Sequence, residues 1–246
     1  MNDKPTSDRE EVFSVTCPAN ISGFTSSGNC SVSVTVPGPT VSSSSASYTL
    51  TNDFNNTADA SGTYPIGVTT VIFSADDGNG AKTCSMTITV LDNQDPVISG
   101  CPGDQIIAAG AACNGIATWT APTFSDNCIG GSISSSHAPG SAFSVGTTSV
   151  TYTATDTYGN ISTCSFDITV EDNIVPELTC PSNIIVNNDP GMCSAVVTYA
   201  TPVGTDNCAS PVTTMVTMDT GSGATFPIGV TPVTYRVDDA NGNFTE

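Results

Sequence analysis

Basic residues are scarce in this sequence. Four Lys and Arg stand against 23 Asp and Glu, a formal net charge of −19. Lys4, Arg9, Lys82 and Arg236 are scattered, so sequence neighbours build no cationic patch, and nucleic acid, which requires clustered Lys and Arg, is excluded as a partner. The same charge disfavours anionic membrane surfaces, and no apolar run is long enough to span a bilayer. Histidine occurs once, at His137. A Ser-His-Asp or Cys-His arrangement has nowhere else to form, and His137 sits in Ser-Ser-His-Ala-Pro-Gly, a strand end followed by a turn. Paired carboxylates are common but lie in turns without aromatic clefts, so no enzyme is expected. Aromatics make up 7%, too few for the exposed platforms of a carbohydrate-binding module. The single tryptophan, Trp119, reads as a core residue.

Only 11% of residues are charged. Ser, Thr, Asn and Gly supply the polarity instead, a composition suited to the outer faces of strands rather than to helices. Ten cysteines are too many for a reducing cytosol and point to an extracellular or cell-surface setting. Met1–Glu11 is polar and charged, without the apolar stretch of a signal peptide. The chain therefore reads as a piece of a longer exported protein.

The sequence repeats. Cys17-Pro18, Cys101-Pro102 and Cys180-Pro181 each open a segment, followed by Cys30, Cys113 and Cys193. A Ser/Thr-Asp-Asn-Cys element ends at Cys128 and Cys208. Tyr64–Thr69, Phe143–Thr148 and Phe226–Thr231 share an aromatic-x-x-Gly pattern. Asp76–Asn79, Asp156–Asn160 and Asp238–Asn243 are Asp/Gly/Asn turns. Cys84 and Cys164, Cys113 and Cys193, and Cys128 and Cys208 all stand at one and the same spacing; three landmarks agreeing on one period define a tandem array. Three units follow: 11–93, 94–174 and 175–246, the first lacking the Asp-Asn-Cys cysteine, with Thr51–Asn56 in roughly that region. The third is expected to stop before its last strand, leaving a sheet edge that another copy could fill with the alternating segment Val12–Thr16.

Each unit reads as all-β. Val150, Tyr152 and Ala154 share one face of a strand, and Cys164, Phe166, Ile168 and Val170 share one face of the next, across the Asp156–Asn160 turn. Ile116–Thr120 and Ala195–Tyr199 supply an earlier strand. About seven short strands per repeat, punctuated by turns, give an Ig-like β-sandwich.

These residues carry a resemblance. Pro96 and Cys101-Pro102, Asp126-Asn127-Cys128, Ser136–Phe143, Val150–Asp156, Gly159-Asn160 and Cys164 together resemble the hyalin repeat (HYR) domain family, over nearly the whole chain. The resemblance implies an Ig-like fold and a role in extracellular adhesion. The four-cysteine form is similar to repeats of large surface adhesins of gliding Bacteroidetes, which adds gliding motility to the expectations.

Four cysteines in the second unit permit three pairings; no CxxC pair or suitable His suggests zinc. The Ig-like layout, with first and last strands side by side, favours Cys101–Cys164 together with Cys113–Cys128. The same layout gives Cys17–Cys84 and leaves Cys30 unpaired, with Cys180, Cys193 and Cys208 the matching cysteines of the third unit.

Acidic elements converge on the unit junctions in such a layout: Asp92, Asn93, Asp95, Asp126, Asn127, Asp156 and Asn160 at one, and Asp172, Asn173, Asp206, Asn207 and Asp238 or Asp239 at the next. Oxygen ligands in that number suit calcium; the same residues are also ordinary turn formers. The functional expectation is an extracellular adhesion or spacer segment of disulfide-stapled repeats, whose partners are neighbouring repeats and an unnamed surface or polysaccharide. The alternative is an accessory module, carbohydrate-binding or not, of a larger secreted enzyme.

Overall fold

The computed structural model describes residues 13–44, 47–208, 213–216 and 221–246, with backbone only at 213–216. No helix occurs among them. The chain divides by internal contacts into two compact units: Met1–Ser99 with Thr123–Ser134 and Thr153–Thr163, and Gly100–Pro122 with Ser135–Tyr152 and Cys164–Glu246. The dividing lines run through the second sequence repeat.

In the first unit, β1 (Ser14–Thr16), β2 (Ile21–Phe24), β3 (Ser31–Val34), β4 (Thr40–Ser42), β5 (Thr49–Asn52), β6 (Gly62–Pro65), β7 (Gly67–Asp76) and β8 (Ala81–Leu91) form one repeat. The main sheet has the order β2-β8-β7-β5, and β1-β4 and β3-β6 are two-stranded pairs. The hairpin β7–β8 runs antiparallel from Gly67↔Val90 to Asp76↔Ala81. β2 joins the far side of β8 in parallel, with Ile21 opposite Ile88. Alternation decides what is buried: Val71, Phe73 and Ala75 of β7 and Met86, Ile88 and Val90 of β8 point inward. Tyr64, Val36 and Ala60 complete this core. Tyr64 donates its hydroxyl proton to the Ala60 carbonyl and stacks on Phe54 with ring centres 4.3 Å apart, which closes the sandwich without leaving the phenol unsatisfied.

The aromatic-x-x-Gly pattern has a backbone cause. Gly67, Gly146 and Gly229 have φ of 109°, 111° and 121°, where a Cβ is strained. At Gly67 and Gly146 the glycine lets the chain bend sharply from one strand into the next without a loop; after Gly229 no strand begins until Tyr235.

The second repeat reproduces the plan as β9 (Val97–Ser99), β10 (Gln105–Ala108), β11 (Asn114–Ile116), β12 (Thr123–Ser125), β13 (Ser132–Ser135), β14 (Ala142–Ser144), β15 (Gly146–Thr155) and β16 (Ile161–Glu171). β9 and β12 pair within the first unit. β10 lies parallel to β16, with Gln105 opposite Ile168, and the sheet of this repeat has the order β10-β16-β15-β13. Trp119 is half-buried, packs edge-on against Phe166 at 5.2 Å, and donates its indole N–H to Tyr152 at 2.7 Å. His137 bonds the hydroxyl of its neighbour Ser136 and rests beside Phe143 at 5.1 Å.

Two details of placement differ from expectation. The early strand expected at Ile116–Thr120 is Asn114–Ile116, paired with β14, and that at Ala195–Tyr199 is Ser194–Val197. Thr51 and Asn52 end β5 and residues 53–56 form the turn after it, the place where Ser136 onward follows β13. The counterpart of Asp126-Asn127-Cys128, which follows β12, is the stretch after β4 beginning at Ser43.

The third repeat, wholly in the second unit, contains β17 (Ser194–Val197), β18 (Thr213–Val216), β19 (Ala224–Pro227), β20 (Tyr235–Asp238) and β21 (Phe244–Thr245). β17 pairs with β19, and β18-β20-β21 form a sheet. In the first repeat, Ser14–Thr16 of the segment considered as a strand donor is already paired with Thr40–Ser42; Val12 lies outside the described residues.

Candidate functional site at the repeat junctions

The cysteines correct the expected connectivity. Cys17 is bonded to Cys84 and Cys101 to Cys164, each tying the start of a repeat to its last strand. Cys113, however, does not meet Cys128. Cys30 is bonded to Cys128, with Cα atoms 4.9 Å apart, and Cys113 to Cys208, with Cα atoms 4.7 Å apart. The second cysteine of one repeat therefore joins the third cysteine of the next. Cys30, expected to be unpaired, is half of such a bond; Cys180 and Cys193, expected in disulfides, are exposed free thiols in this chain.

The physical reason lies in where the two loops stand. Cys30 and Cys113 each end a tight turn ahead of β3 or β11. Asn29 N–H reaches Ser26 O and Ser26 N–H reaches Ser31 O; Cys113 N–H reaches Gly110 O and Gly110 N–H reaches Asn114 O. This turn faces the Asp-Asn-Cys loop of the following repeat rather than that of its own.

Around each disulfide the same polar cluster recurs. In the first unit, Asp126 Oδ2 accepts the Cys128 N–H at 2.9 Å. Asn127 donates its amide to Asn29 O at 3.1 Å and to Asp92 Oδ1 at 3.4 Å. Asp92 Oδ1 also accepts from Thr25 and from the Gln94 N–H. In the second unit, Asp206 Oδ2 accepts the Cys208 N–H at 3.0 Å, and Asn207 donates to Gly110 O and to Asp172 Oδ1. Asp172 is buried at 5% exposure, and its Oδ2 accepts from Asn241 at 3.0 Å. Four buried oxygens in these clusters have no hydrogen-bond donor: Asp92 Oδ2, Asn127 Oδ1, Asp206 Oδ1 and Asn207 Oδ1. All four are acceptors, and buried acceptors left without donors are costly. Ligand atoms of Asp92, Asp126 and Cys128, and of Asp172, Asp206 and Cys208, lie within 4.8 Å of one another. Both sulfurs are in disulfides, so only the oxygens suit a hard cation.

Of the residues expected to meet at the first junction, Asp92, Asp126 and Asn127 do so; at the second, Asp172, Asp206 and Asn207. Asn93, Asp95 and Asn173 are not among these contacts. Asp156 and Asn160 close their own turn: Asp156 Oδ1 accepts the Tyr158 and Asn160 N–H groups, and its Oδ2 accepts the Asn160 amide at 2.7 Å. Burial opposes ionisation of Asp156, but these donors outweigh it and hold the carboxyl below its ordinary value. Asp239 does the same with Asn241 and Asn243, with burial again outweighed.

Neither of the two aspartates expected here joins the cluster: Asp238 pairs with Arg236 at 2.7 Å and Asp239 closes its own turn, and the junction is served instead by Asn241 and by Asn243, whose amide donates to Asp172 O at 2.9 Å. The spacing Asp-x-x-Gly-Asn aligns Asp239, not Asp238, with Asp156, and that alignment was the available signal.

Comparison with known proteins bears on this geometry. The HYR domain family matches residues 91–170 and 171–246. Hyalin of Strongylocentrotus purpuratus is 35% identical over 242 residues, covering 94% of this chain and 19% of that protein. Hyalin of Lytechinus variegatus is 42% identical over 131 residues, covering 52% and 24%. The Rattus norvegicus Sushi, von Willebrand factor type A, EGF and pentraxin domain-containing protein 1 is 32% identical over 166 residues, 65% of this chain and 4% of that one. The chain thus spans a quarter or less of each of these relatives. Among solved structures, the extracellular domain of protocadherin gamma B4 aligns with a TM-score of 0.35 at 15% identity, over 96% of this chain and 48% of that one.

Proposed function

The chain belongs to the HYR domain family, and on that premise we propose that it is an extracellular adhesion and spacer segment of a cell-surface protein, in which successive repeats are covalently locked to one another. The observation that carries the reading is the pair of disulfides Cys30–Cys128 and Cys113–Cys208. A disulfide inside a repeat protects that repeat; one between repeats keeps the junction from parting under load. Four disulfides also suit an oxidising compartment. The segment's task is mechanical and involves no catalysis. Its place in a large surface adhesin, of the kind used in gliding motility, is the finer form of the same proposal. The test compares oxidised and reduced chain under force: the oxidised chain resists extension and the reduced chain unravels. Equal extension in the two states overturns the reading. Retention of the isolated chain on a polysaccharide array would favour the accessory-module alternative.

A second reading is favoured by the four donor-less buried oxygens. A divalent cation such as calcium at each junction would satisfy them, held by Asp92, Asp126 and Asn127 at one and by Asp172, Asp206 and Asn207 at the other. Calorimetric titration with calcium tests it, and an absence of binding heat together with an unchanged Tm rejects it.

A further inference from the structure

The two junction clusters share a plan, but their linker aspartates are held from opposite sides. At the first junction Asp92 Oδ1 accepts from the Thr25 hydroxyl and from the Gln94 N–H. Gln94 donates its amide to the Ser26 carbonyl at 3.1 Å and accepts the Gly28 N–H, so this linker is tied to the repeat before it. Thr25 and Ala109 are equivalent, since each donates its N–H to the last residue of the long strand, Leu91 or Glu171. At the second junction the two positions are therefore Ala109 and Ile174, neither of which has a side-chain donor.

There the following repeat takes over. The Asn241 amide donates to Asp172 Oδ2 at 3.0 Å and the Asn243 amide to the Asp172 carbonyl at 2.9 Å, while Oδ1 accepts from the Ile174 N–H and from Asn207. In the turn that corresponds in the second repeat, Asp156–Asn160, the place of Asn241 is taken by Tyr158, which has no amide to offer.

The difference shows in what is left over. The buried oxygens without a donor are Asp92 Oδ2 and Asn127 Oδ1 at the first junction and Asp206 Oδ1 and Asn207 Oδ1 at the second; no oxygen of Asp172 is among them. Carboxylate oxygens of Asp92 and Asp126 lie within 4.8 Å of one another, as do those of Asp172 and Asp206, close enough to share one ion. Among the described residues the ion pairs are those of Arg236 with Asp238 and Glu246, so no basic side chain offsets the like charges of either pair. Only at the first junction does the linker carboxylate present an oxygen that nothing else holds.

We propose that the junctions are unequal sites for a divalent cation such as calcium. The first, on Asp92, Asp126 and Asn127, fills first; the second is weakened because the Asn241 amide holds the Asp172 oxygen. This rests on the cation reading above and deepens it, ranking the two sites and assigning the rank to Asn241 and Tyr158. An ion at the second junction has to turn aside a hydrogen bond to a charged acceptor, which lowers its affinity roughly tenfold.

Calorimetric titration of the oxidised full chain, stripped of metal with EDTA and dialysed, with calcium chloride tests the ranking. Two steps are expected, about tenfold apart. Asp92→Asn removes the tighter step and keeps the weaker. Asn241→Ala moves the weaker step to about tenfold higher affinity, and Tyr158→Asn, which places an amide at the first junction, lowers the affinity of the tighter step by about as much. Asn241 and Tyr158 are exposed, and far-UV circular dichroism in EDTA checks that each variant keeps its sheets. Two equal steps, loss of the weaker step in Asp92→Asn, or a weaker step that Asn241→Ala leaves in place overturns the ranking while the cation reading stands. An absence of binding heat together with an unchanged Tm overturns both.

Discussion

Pulling the chain by attachment points just outside Cys17 and Cys208 tests the disulfide topology in one number. About 190 residues separate these cysteines, and at ~3.5 Å per extended residue the reduced segment reaches about 670 Å. With all four disulfides intact, tension follows the shortest covalent path. From Cys17 it runs along the chain to Cys30, crosses to Cys128, runs back to Cys113 and crosses to Cys208. Those two stretches, about 28 residues together, and two bridges of 4.9 and 4.7 Å extend to about 110 Å. Had Cys113 been joined to Cys128 instead, the shortest path would cross Cys17–Cys84, follow the chain to Cys101, cross to Cys164 and follow it again to Cys208. That path of about 61 residues and two bridges extends to about 220 Å. Single-molecule force spectroscopy with and without reductant reads these lengths directly. The variants separate the bonds further. Cys30→Ser leaves a path through Cys17–Cys84 and Cys113–Cys208 whose free stretch, Cys84 to Cys113, is nearly as short, so the length barely changes. Cys113→Ser doubles it to about 220 Å. That doubled length in the oxidised, unaltered chain would refute the inter-repeat pairing.

Three further outcomes are expected. If a cation occupies the junctions, EDTA lowers the Tm by several degrees, since saturation at a hundred times Kd contributes about 2.7 kcal/mol per site. Asp206→Asn shrinks that difference, and an EDTA-insensitive melting curve rules out the cation. The Asp156 and Asp239 carboxyls titrate below their ordinary value in the folded chain. Their contribution is therefore fully present above the unfolded value and is lost as pH falls through the folded one. Asp239→Asn should flatten the acid limb of a stability-versus-pH curve, and an unchanged limb counts against it. Cys101→Ser opens a loop spanning 63 residues and should cost about 4 kcal/mol on the loop-entropy scale, read by urea denaturation; a loss below about 1 kcal/mol would mean that closing this loop contributes little.

Much of the fold was legible because its determinants are local. The alternation of Val150, Tyr152 and Ala154 specifies a strand with one buried face, and those residues are buried. Asp156–Asn160 specifies a turn, and its hydrogen bonds are internal to it. The pairing of Cys113 was not legible by the same means. A strict period says that Cys113 and Cys193 are equivalent, but not whether a loop faces its own repeat or the following one. One signal was present: the first repeat has Cys30 but no Asp-Asn-Cys cysteine. Two junctions among three repeats use two second cysteines and two third cysteines, and the missing one is the cysteine such an offset scheme leaves out. The junction acids followed the same division. Asp92, Asp126 and Asn127 were found from turn composition, whereas the part taken by Asn241 and Asn243, where Asp238 or Asp239 was expected, depends on register, which side-chain type alone does not encode.

The four disulfide loops overlap like shingles: 17–84, 30–128, 101–164 and 113–208. Every peptide bond from Cys17 to Cys208 lies inside at least one of them. The exposed residues of the two inter-repeat stretches, Asn173, Ile174 and Val175 in one and Leu91, Asn93 and Asp95 in the other, are accessible to a protease. A cut near Asn93 is spanned by Cys30–Cys128 and a cut near Ile174 by Cys113–Cys208. A protein exposed to secreted proteases can be nicked at either place and still hold its two halves together, so its survival is set by the redox state outside the cell rather than by the intactness of its backbone.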